Sequence, residues 1–454
     1  MNYDLIVIGG GPAGYLAAER AGQAGLNVIC FEKNSVGGVC LNEGCIPTKT
    51  MLYSAKLFDG VVNGEKYGIT STGLAIDHSK VIGRKNKVVK TLVSGVKATL
   101  KSNNVTIVES EAVITEKTGQ GYTVSANGSV YTGKRILIAT GSSPAVPPIP
   151  GLMEGIESGF VMTNREALSI VEPPEKLVVI GGGVIGLEMA SYYNSIGTDV
   201  TVVEMLDHIG GENDIDLIKI LQKNYEKKGI KFYLSARVTE IGKNEVIFEK
   251  DGQIQKALAD KVLLSIGRRP NISGIGLENI NIFTERGAIV TDEKMKTNQP
   301  EVYAAGDVNG KSMLAHTAYR EAEVAVNNIL GKRDIMRYSA IPSIIYTNPE
   351  LASAGETEAT AKAKGMDVDA IKLSMRFSGR YLAENEGGDG IVKLVVEKKN
   401  KTIVGVQALA NYSSEFIVAC SSFIELGLTI DEIKKIVFPH PTVSEIIREA
   451  VFQY

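Results

Sequence analysis

Short apolar runs recur along the chain, each stopped by glycine and followed by a helical pattern. Leu5-Ile6-Val7-Ile8 enters Gly9, Gly11 and Gly14 in the spacing G-x-G-x-x-G, a helix follows through Ala17-Ala18-Glu19-Arg20, and a second strand, Val28 to Phe31, ends at Glu32. The same order returns 172 residues later: Leu177 to Ile180, then Gly181, Gly183 and Gly186, then Leu187-Glu188-Met189-Ala190, then Val200 to Val203 ending at Glu204. In both copies the acid stands 23 residues after the first glycine. Strand, glycine turn, helix, strand and acid in this order form a dinucleotide-binding unit, whereas an isolated G-x-G-x-x-G is weak evidence.

The first unit closes with Arg135 to Gly141, and the second with Lys261 to Gly267. The Pro-rich stretch from Pro144 to Pro150 reads as a linker, and Val302 to Ala305 as a further strand before Gly306-Asp307. From Ser339 the pattern changes to extended runs, Gly390–Glu397 and Thr402–Ala410, followed by amphipathic helices at Ser414–Gly427 and Asp431–Ile436. The expected architecture is α/β: two Rossmann-like dinucleotide-binding domains and a C-terminal α+β domain. The expected segments are 1–143 and 269–338 for the first binding domain, 144–268 for the second, and 339–454 for the α+β domain.

The three glycines of such a turn do different things. One permits the tight bend, one admits backbone N–H groups to a pyrophosphate, and one lets helix and strand pack closely. The terminal Glu accepts from a ribose hydroxyl. Two copies imply two dinucleotides, which in a hydride-handling protein means FAD and a nicotinamide dinucleotide. After Glu204 come Met205, Leu206 and Asp207, with no Arg for a 2′-phosphate and an acid to repel one, so NAD is expected rather than NADP.

The 454 residues, 44% hydrophobic, suffice for about three cores. With 49 basic against 52 acidic side chains and no evident block of like charge, neither nucleic acid nor membrane is an expected partner. No basic leader or long apolar span is visible, so a cytoplasmic location is expected. Four cysteines are too few for a disulfide scaffold.

Two of them, Cys40 and Cys45, lie in Gly37-Gly38-Val39-Cys40-Leu41-Asn42-Glu43-Gly44-Cys45-Ile46-Pro47-Thr48-Lys49. Pro47 suits a helix's first turn, where the dipole would lower a thiol pKa and favour the reactive thiolate. Placed after the first dinucleotide site, the pair could exchange electrons with a flavin on one side and a disulfide substrate on the other. Half a zinc site and a purely structural disulfide are the competing readings, the first without a second Cys or His pair at suitable spacing; no metal is expected.

These motifs, with Ala139-Thr140-Gly141-Ser142, Gly267-Arg268, Gly306-Asp307, Met313-Leu314-Ala315-His316 and His440-Pro441-Thr442, make the whole chain resemble the flavin disulfide reductases. Within that family it is similar to the branch that oxidises protein-bound dihydrolipoamide. The resemblance implies that Cys40 attacks the disulfide substrate and that Cys45 sits against the flavin. It pairs Lys49, near the flavin ring, with Glu188. Thr140 to Ser142, Asp307 and Met313 to His316 would complete the flavin site. By the same resemblance Pro12, Ala13, Lys33, Gly38, Val39, Ala112, Val184, Ile185, Val238, Gly267 and Arg268 join the cofactor contacts.

Oxidising a dithiol needs a base, and His has the most suitable pKa. His78 and His208 lie in polar stretches and read as surface residues, and His316 belongs to the flavin motif. His440, between Pro439 and Pro441, is the candidate. Glu445 has two readings: Thr442-Val443-Ser444-Glu445 matches a capping box, whereas the resemblance makes it the carboxylate that holds His440. The family takes this pair from the partner subunit, so a homodimer is expected. Phe438 departs from a second His found in many relatives.

Val184, where the NADP-dependent glutathione and trypanothione reductases have a gating Tyr, agrees with NAD. The chain ends without the cysteine pair of mercuric reductases, and soluble transhydrogenases lack the Cys pair present here. The expected activity is dihydrolipoamide oxidation through Cys40–Cys45 and FAD to NAD⁺. The substrate would arrive on a lipoylated acyltransferase or glycine-cleavage carrier protein. The rivals are another NADH-dependent disulfide reductase and a docking subunit without turnover.

Overall fold

A computed structural model describes residues 2–454, which divide into two compact units, each described separately below. One comprises the chain up to Thr50 with Lys80–Ala145 and Gly267–Arg337; the other comprises Met51–Ser79, Val146–Ile266 and Tyr338–Tyr454. Among the described residues no helix is long and apolar enough to cross a membrane.

The first unit is built on a sheet in which Thr106–Val108, Val28–Phe31, Asn2–Ile8 and Ser129–Ile138 run parallel. The last strand is long enough to serve two partners along one edge: antiparallel Gly121–Ala126 at its start and parallel Val302–Ala304 at its end. Leu5, Ile6, Val7, Ile136, Leu137 and Ile138 are fully buried, which is why these strands are continuous apolar runs.

In the second unit, Lys231–Tyr233, Asp199–Val203, Lys176–Ile180, Lys261–Leu264 and Val161–Met162 form a parallel sheet. It repeats the central strand order of the first unit. An antiparallel three-stranded sheet, Ala236–Leu258, accompanies it. The C-terminal part is an antiparallel sheet ordered Pro342–Ile345, Glu350–Gly355, Thr402–Ala410, Ile391–Glu397, Val368–Ser374. Helices Ser413–Glu425 and Ile446–Val451 contribute Ile417, Cys420, Ile446 and Ile447 to its core.

Two sequence expectations are corrected here. His78 is buried, not superficial: its Nε2 donates to the Ile170 carbonyl at 2.9 Å and its Nδ1 lies 2.7 Å from the Tyr192 hydroxyl. The polar neighbours in sequence concealed a side chain satisfied by distant residues. The absence of a charge block also fails. Helix His78–Ser102 carries Lys80, Arg84, Lys85, Lys87, Lys90, Lys97 and Lys101 without a single acid, a bias invisible in the near-neutral total. Like charges three and four residues apart cost a helix about 0.2–0.5 kcal/mol per pair.

Lys393, on strand Ile391–Glu397, is buried and contacts Asp214 at 2.9 Å, Glu358 at 3.0 Å and Asp216 at 3.3 Å. Asp214 also accepts from the Asp216 amide at the start of helix Ile215–Lys227. Burial works against the ammonium, but its acidic partners win and raise its pKa. Glu358 is lowered by Lys362 and Lys393; Asp216 is lowered by its lysine partners despite burial. Lowered carboxylates stabilise the fold above the usual carboxylate pKa and lose that contribution as pH falls; a raised lysine keeps its contribution through neutral pH. Replacement Lys393→Met is expected to cost about 3–5 kcal/mol near pH 7 by stranding the acids. Thermal unfolding at several pH values should show the penalty shrinking below about pH 4 as they protonate.

Candidate functional site

The two glycine turns are copies down to single hydrogen bonds. Gly10 N donates to Glu32 Oε2 at 2.7 Å and Asn34 N to Oε1 at 2.7 Å; Gly182 N donates to Glu204 Oε2 at 2.6 Å and Leu206 N to Oε1 at 2.8 Å. Gly9 and Gly181 take φ of +105° and +102°, a region that favours glycine. A Cβ on Gly14 would lie 1.7 Å from the Gly9 carbonyl oxygen, and one on Gly186 2.1 Å from that of Gly181.

Gly11 and Gly183 precede helices Pro12–Gln23 and Val184–Ser195, whose first N–H groups lack intrahelical partners. A Cβ on Gly38 would come within 2.6 Å of the Gly11 Cα, so backbone faces backbone in front of the first helix, with Val39 following Gly38 on the next helix. These cradles fit a dinucleotide pyrophosphate in each unit, with a glutamate at the strand end for a ribose.

Asp207 lies 2.6 Å from His208 Nδ1, and this bond lowers Asp207 and raises His208. When protonated, His208 offsets the Asp207 charge. Val184 and Ile185 open the second helix, and Val238 lies in strand Ala236–Ile241.

Cys40 and Cys45 form a disulfide with Cα atoms 4.8 Å apart. It joins the short helix Gly38–Glu43 to the first residue of helix Cys45–Val62, whose dipole favours the Cys45 thiolate on reduction. Lys49 follows one turn later on that helix. Burial pushes the free thiols Cys30 and Cys420 up to about 12, so both are inert by comparison. Among the described residues no group of His, Cys and acidic side chains is placed to hold a metal.

In the same unit Thr140 Oγ1 donates to Asn271 O at 2.7 Å, and Asn271 Nδ2 donates back to Thr140 O at 3.0 Å. Gly141 follows Thr140 with φ of +69°. Ser142 Oγ donates to Asp307 and accepts from Arg268 Nε at 2.7 Å. Burial draws the Arg268 pKa down, opposed by Asp307 and Glu43. Gly267 O accepts from Ala145 N, and Met313-Leu314 lead into helix Ala315–Ile329, where Ala315 and His316 begin the first turn. Ala13 is packed near Gly306, Ala112 is buried before strand Val113–Thr118, and Lys33 is exposed beside Glu111.

Glu321 escaped the sequence reading. Fully buried on helix Ala315–Ile329, it accepts at Oε2 from Gly306 N at 2.6 Å and Asn309 Nδ2 at 2.8 Å, fixing the turn that carries Asp307. The available signal was an acid among the buried Ala318, Ala322 and Ala325. Tyr15 and Tyr319, joined hydroxyl to hydroxyl, tie the N-terminal halves of two helices together and were likewise unmarked.

In the other unit Glu188 is buried and accepts from Tyr346 N at 3.0 Å. His440 Nδ1 lies 2.9 Å from Glu445 Oε2, the same oxygen that accepts from Thr442 N at 3.3 Å. Thr442 Oγ1 donates instead to Pro439 O, and the helix begins only at Ile446, so a reciprocal capping box does not form. An ionised carboxylate can only accept, so Nδ1 is the donor and Nε2 is the ring nitrogen turned away from Glu445. The His440 side chain is 78% exposed and that of Glu445 12%, so an accessible imidazole is oriented by a shielded carboxylate.

The chain belongs to the pyridine nucleotide-disulphide oxidoreductase family: residues 3–322 match the family profile and 341–451 its dimerisation domain. FAD and NAD are the cofactors, and the chain forms a homodimer. Among similar proteins are the dihydrolipoyl dehydrogenases of Mycoplasma pneumoniae, 40% identical over 99% of this chain and 98% of that protein, and of Geobacillus stearothermophilus, 37% identical over 98% and 95%. The fold resembles LpdA of Mycobacterium tuberculosis at TM-score 0.90, with 26% identity and 99% of each chain covered. It also resembles the HOCl-induced flavoprotein disulfide reductase RclA of Escherichia coli at TM-score 0.87, with 27% identity and 99% of each chain covered.

Mild reduction of the folded protein is expected to free two alkylatable thiols, Cys40 and Cys45, with Cys30 and Cys420 modified only after unfolding; peptide mapping reads this directly. Glu445→Gln keeps an acceptor for Thr442 N–H but removes the charge facing His440. It should lower turnover about 10²-fold or more with little change in melting temperature, and unchanged kinetics would leave Glu445 with only the structural task of holding the Thr442 amide.

Proposed function

We propose that this chain is a dihydrolipoyl dehydrogenase, oxidising dihydrolipoamide borne on a lipoylated protein to lipoamide and reducing NAD⁺. The observation that carries the reading is the Cys40–Cys45 disulfide at a helix start, in the unit that also contains the first dinucleotide cradle. Full-length similarity to dihydrolipoyl dehydrogenases supports the substrate. The division into segments 1–143 and 269–338 for FAD, 144–268 for NAD and 339–454 for the subunit interface accompanies it.

One substrate thiol gives its proton to His440 Nε2, and the resulting thiolate attacks Cys40 Sγ. The Cys40–Cys45 bond breaks, and Cys45 leaves as a thiolate favoured by its helix position. The second substrate thiol then attacks the sulfur bonded to Cys40, closing the lipoamide disulfide, and its proton goes to the departing Cys40 sulfur. Glu445 orients the imidazole and stabilises its charge, with the exposed pair contributed to the cysteine site of the second subunit. Bound FAD would supply the two-electron acceptor that links the cysteine pair to NAD⁺. Lys49 and Glu188 are assigned to the flavin environment, with Thr140, Ser142, Asp307 and the helix start at Ala315 completing it.

Purified protein loaded with FAD should oxidise dihydrolipoamide with NAD⁺. Assayed in parallel with NADH, it should leave glutathione disulfide and coenzyme A disulfide nearly untouched. Preference for either disulfide would identify another reductase, and inactivity with all three despite bound flavin would identify a docking subunit.

A further inference from the structure

The function proposed above leaves unused the basic helix His78–Ser102. Spacings of three, four and seven residues put Lys80, Arg84, Lys87, Lys90, Lys97 and Lys101 on one side of it, while Val81, Ile82, Lys85 and Leu100 are buried. We infer that this basic stripe docks an acidic face of the protein that carries the dithiol, an inference that rests on the activity proposed above.

A merely solvated helix mixes signs, as Glu358 with Lys362 and Arg380 with Glu384 do elsewhere in this chain. Here like charges stand beside one another, although acids outnumber bases in the whole chain, 52 to 49. Lys97 pairs with Glu109. Lys87, Lys90 and Lys101 are exposed, and among the described residues none has an acidic side chain within ion-pair distance.

The stripe is also tied to the redox helix within one unit: Arg84 Nη1 donates to the carbonyl of Thr50, five residues after Cys45, at 2.9 Å. An acidic partner drawn to the stripe is thereby held beside the element that begins with the redox cysteine. The matching chemistry is a compact protein domain with a carboxylate-rich face around its lipoyl-lysine, recognised by long-range attraction and rim ion pairs that chiefly raise the association rate.

The test compares two substrates on FAD-loaded enzyme: free dihydrolipoamide, and a reduced acyltransferase lipoyl domain of net negative charge. Variant K87E/K90E/K101E should lose about tenfold or more in kcat/KM with the domain at low ionic strength. The gap to the unaltered enzyme should close near ~1 M salt. Free dihydrolipoamide should be turned over as before, and K87Q/K90Q/K101Q should fall between. Equal losses on both substrates, or no loss with the domain, overturn the inference. Tighter binding of the unaltered enzyme to phosphatidylserine vesicles or to DNA than to the domain overturns it as well. Failure of the unaltered enzyme on free dihydrolipoamide would instead remove the proposed function and this inference with it.

Discussion

One bond recurs at both dinucleotide turns and governs what surrounds them: a strand-end glutamate accepts from an amide inside the glycine loop. Glu32 and Glu204 each take one loop N–H on Oε2 and one following N–H on Oε1. Charge-assisted bonds of this kind are about twice as strong as neutral ones and fix the turn against the adjacent strand. The turn sets where the next helix starts, and the helix start sets where orphan N–H groups collect. Each carboxylate oxygen keeps a second lone pair for a hydroxyl, so the same side chain builds the turn and can receive a ligand.

In the first unit this constraint is propagated by other buried acceptors. Glu321 holds Gly306 and Asn309, which sets Asp307; Asp307 receives Ser142, and Ser142 receives Arg268. Because every member is satisfied, the network resists rearrangement, whereas loss of one member would leave a buried polar group unpaired. Gly306 fits this arrangement with φ of +81°, and a Cβ there would lie 3.3 Å from that of Ala13 and 3.5 Å from that of Ala318, so a larger residue would meet both strain and crowding.

The repeated strand-turn-helix units, the cysteine pair and the C-terminal α+β character were legible because each is written in local spacing. Glu321 was not singled out because its partners lie 12 and 15 residues away, although the acid on an apolar helix face was visible. His78 misled for the opposite reason: its neighbours are polar, while its own contacts, Ile170 and Tyr192, are 92 and 114 residues distant. Net charge concealed the helix of uniform sign, since a sum over 454 residues discards position.

Glu445 keeps the backbone half of the capping reading, without the reciprocal bond, while it faces the imidazole. Its Oε2 accepts from Thr442 N–H and also faces His440 Nδ1, so the carboxylate keeps a backbone donor whatever the imidazole does. A shielded acid whose only partner was an exposed histidine would bear its desolvation penalty whenever that ring swung away. The backbone bond removes that dependence, and the acid stays in place while His440 remains largely exposed. The imidazole is therefore oriented within a single chain, by a carboxylate that a neighbouring backbone amide holds in place.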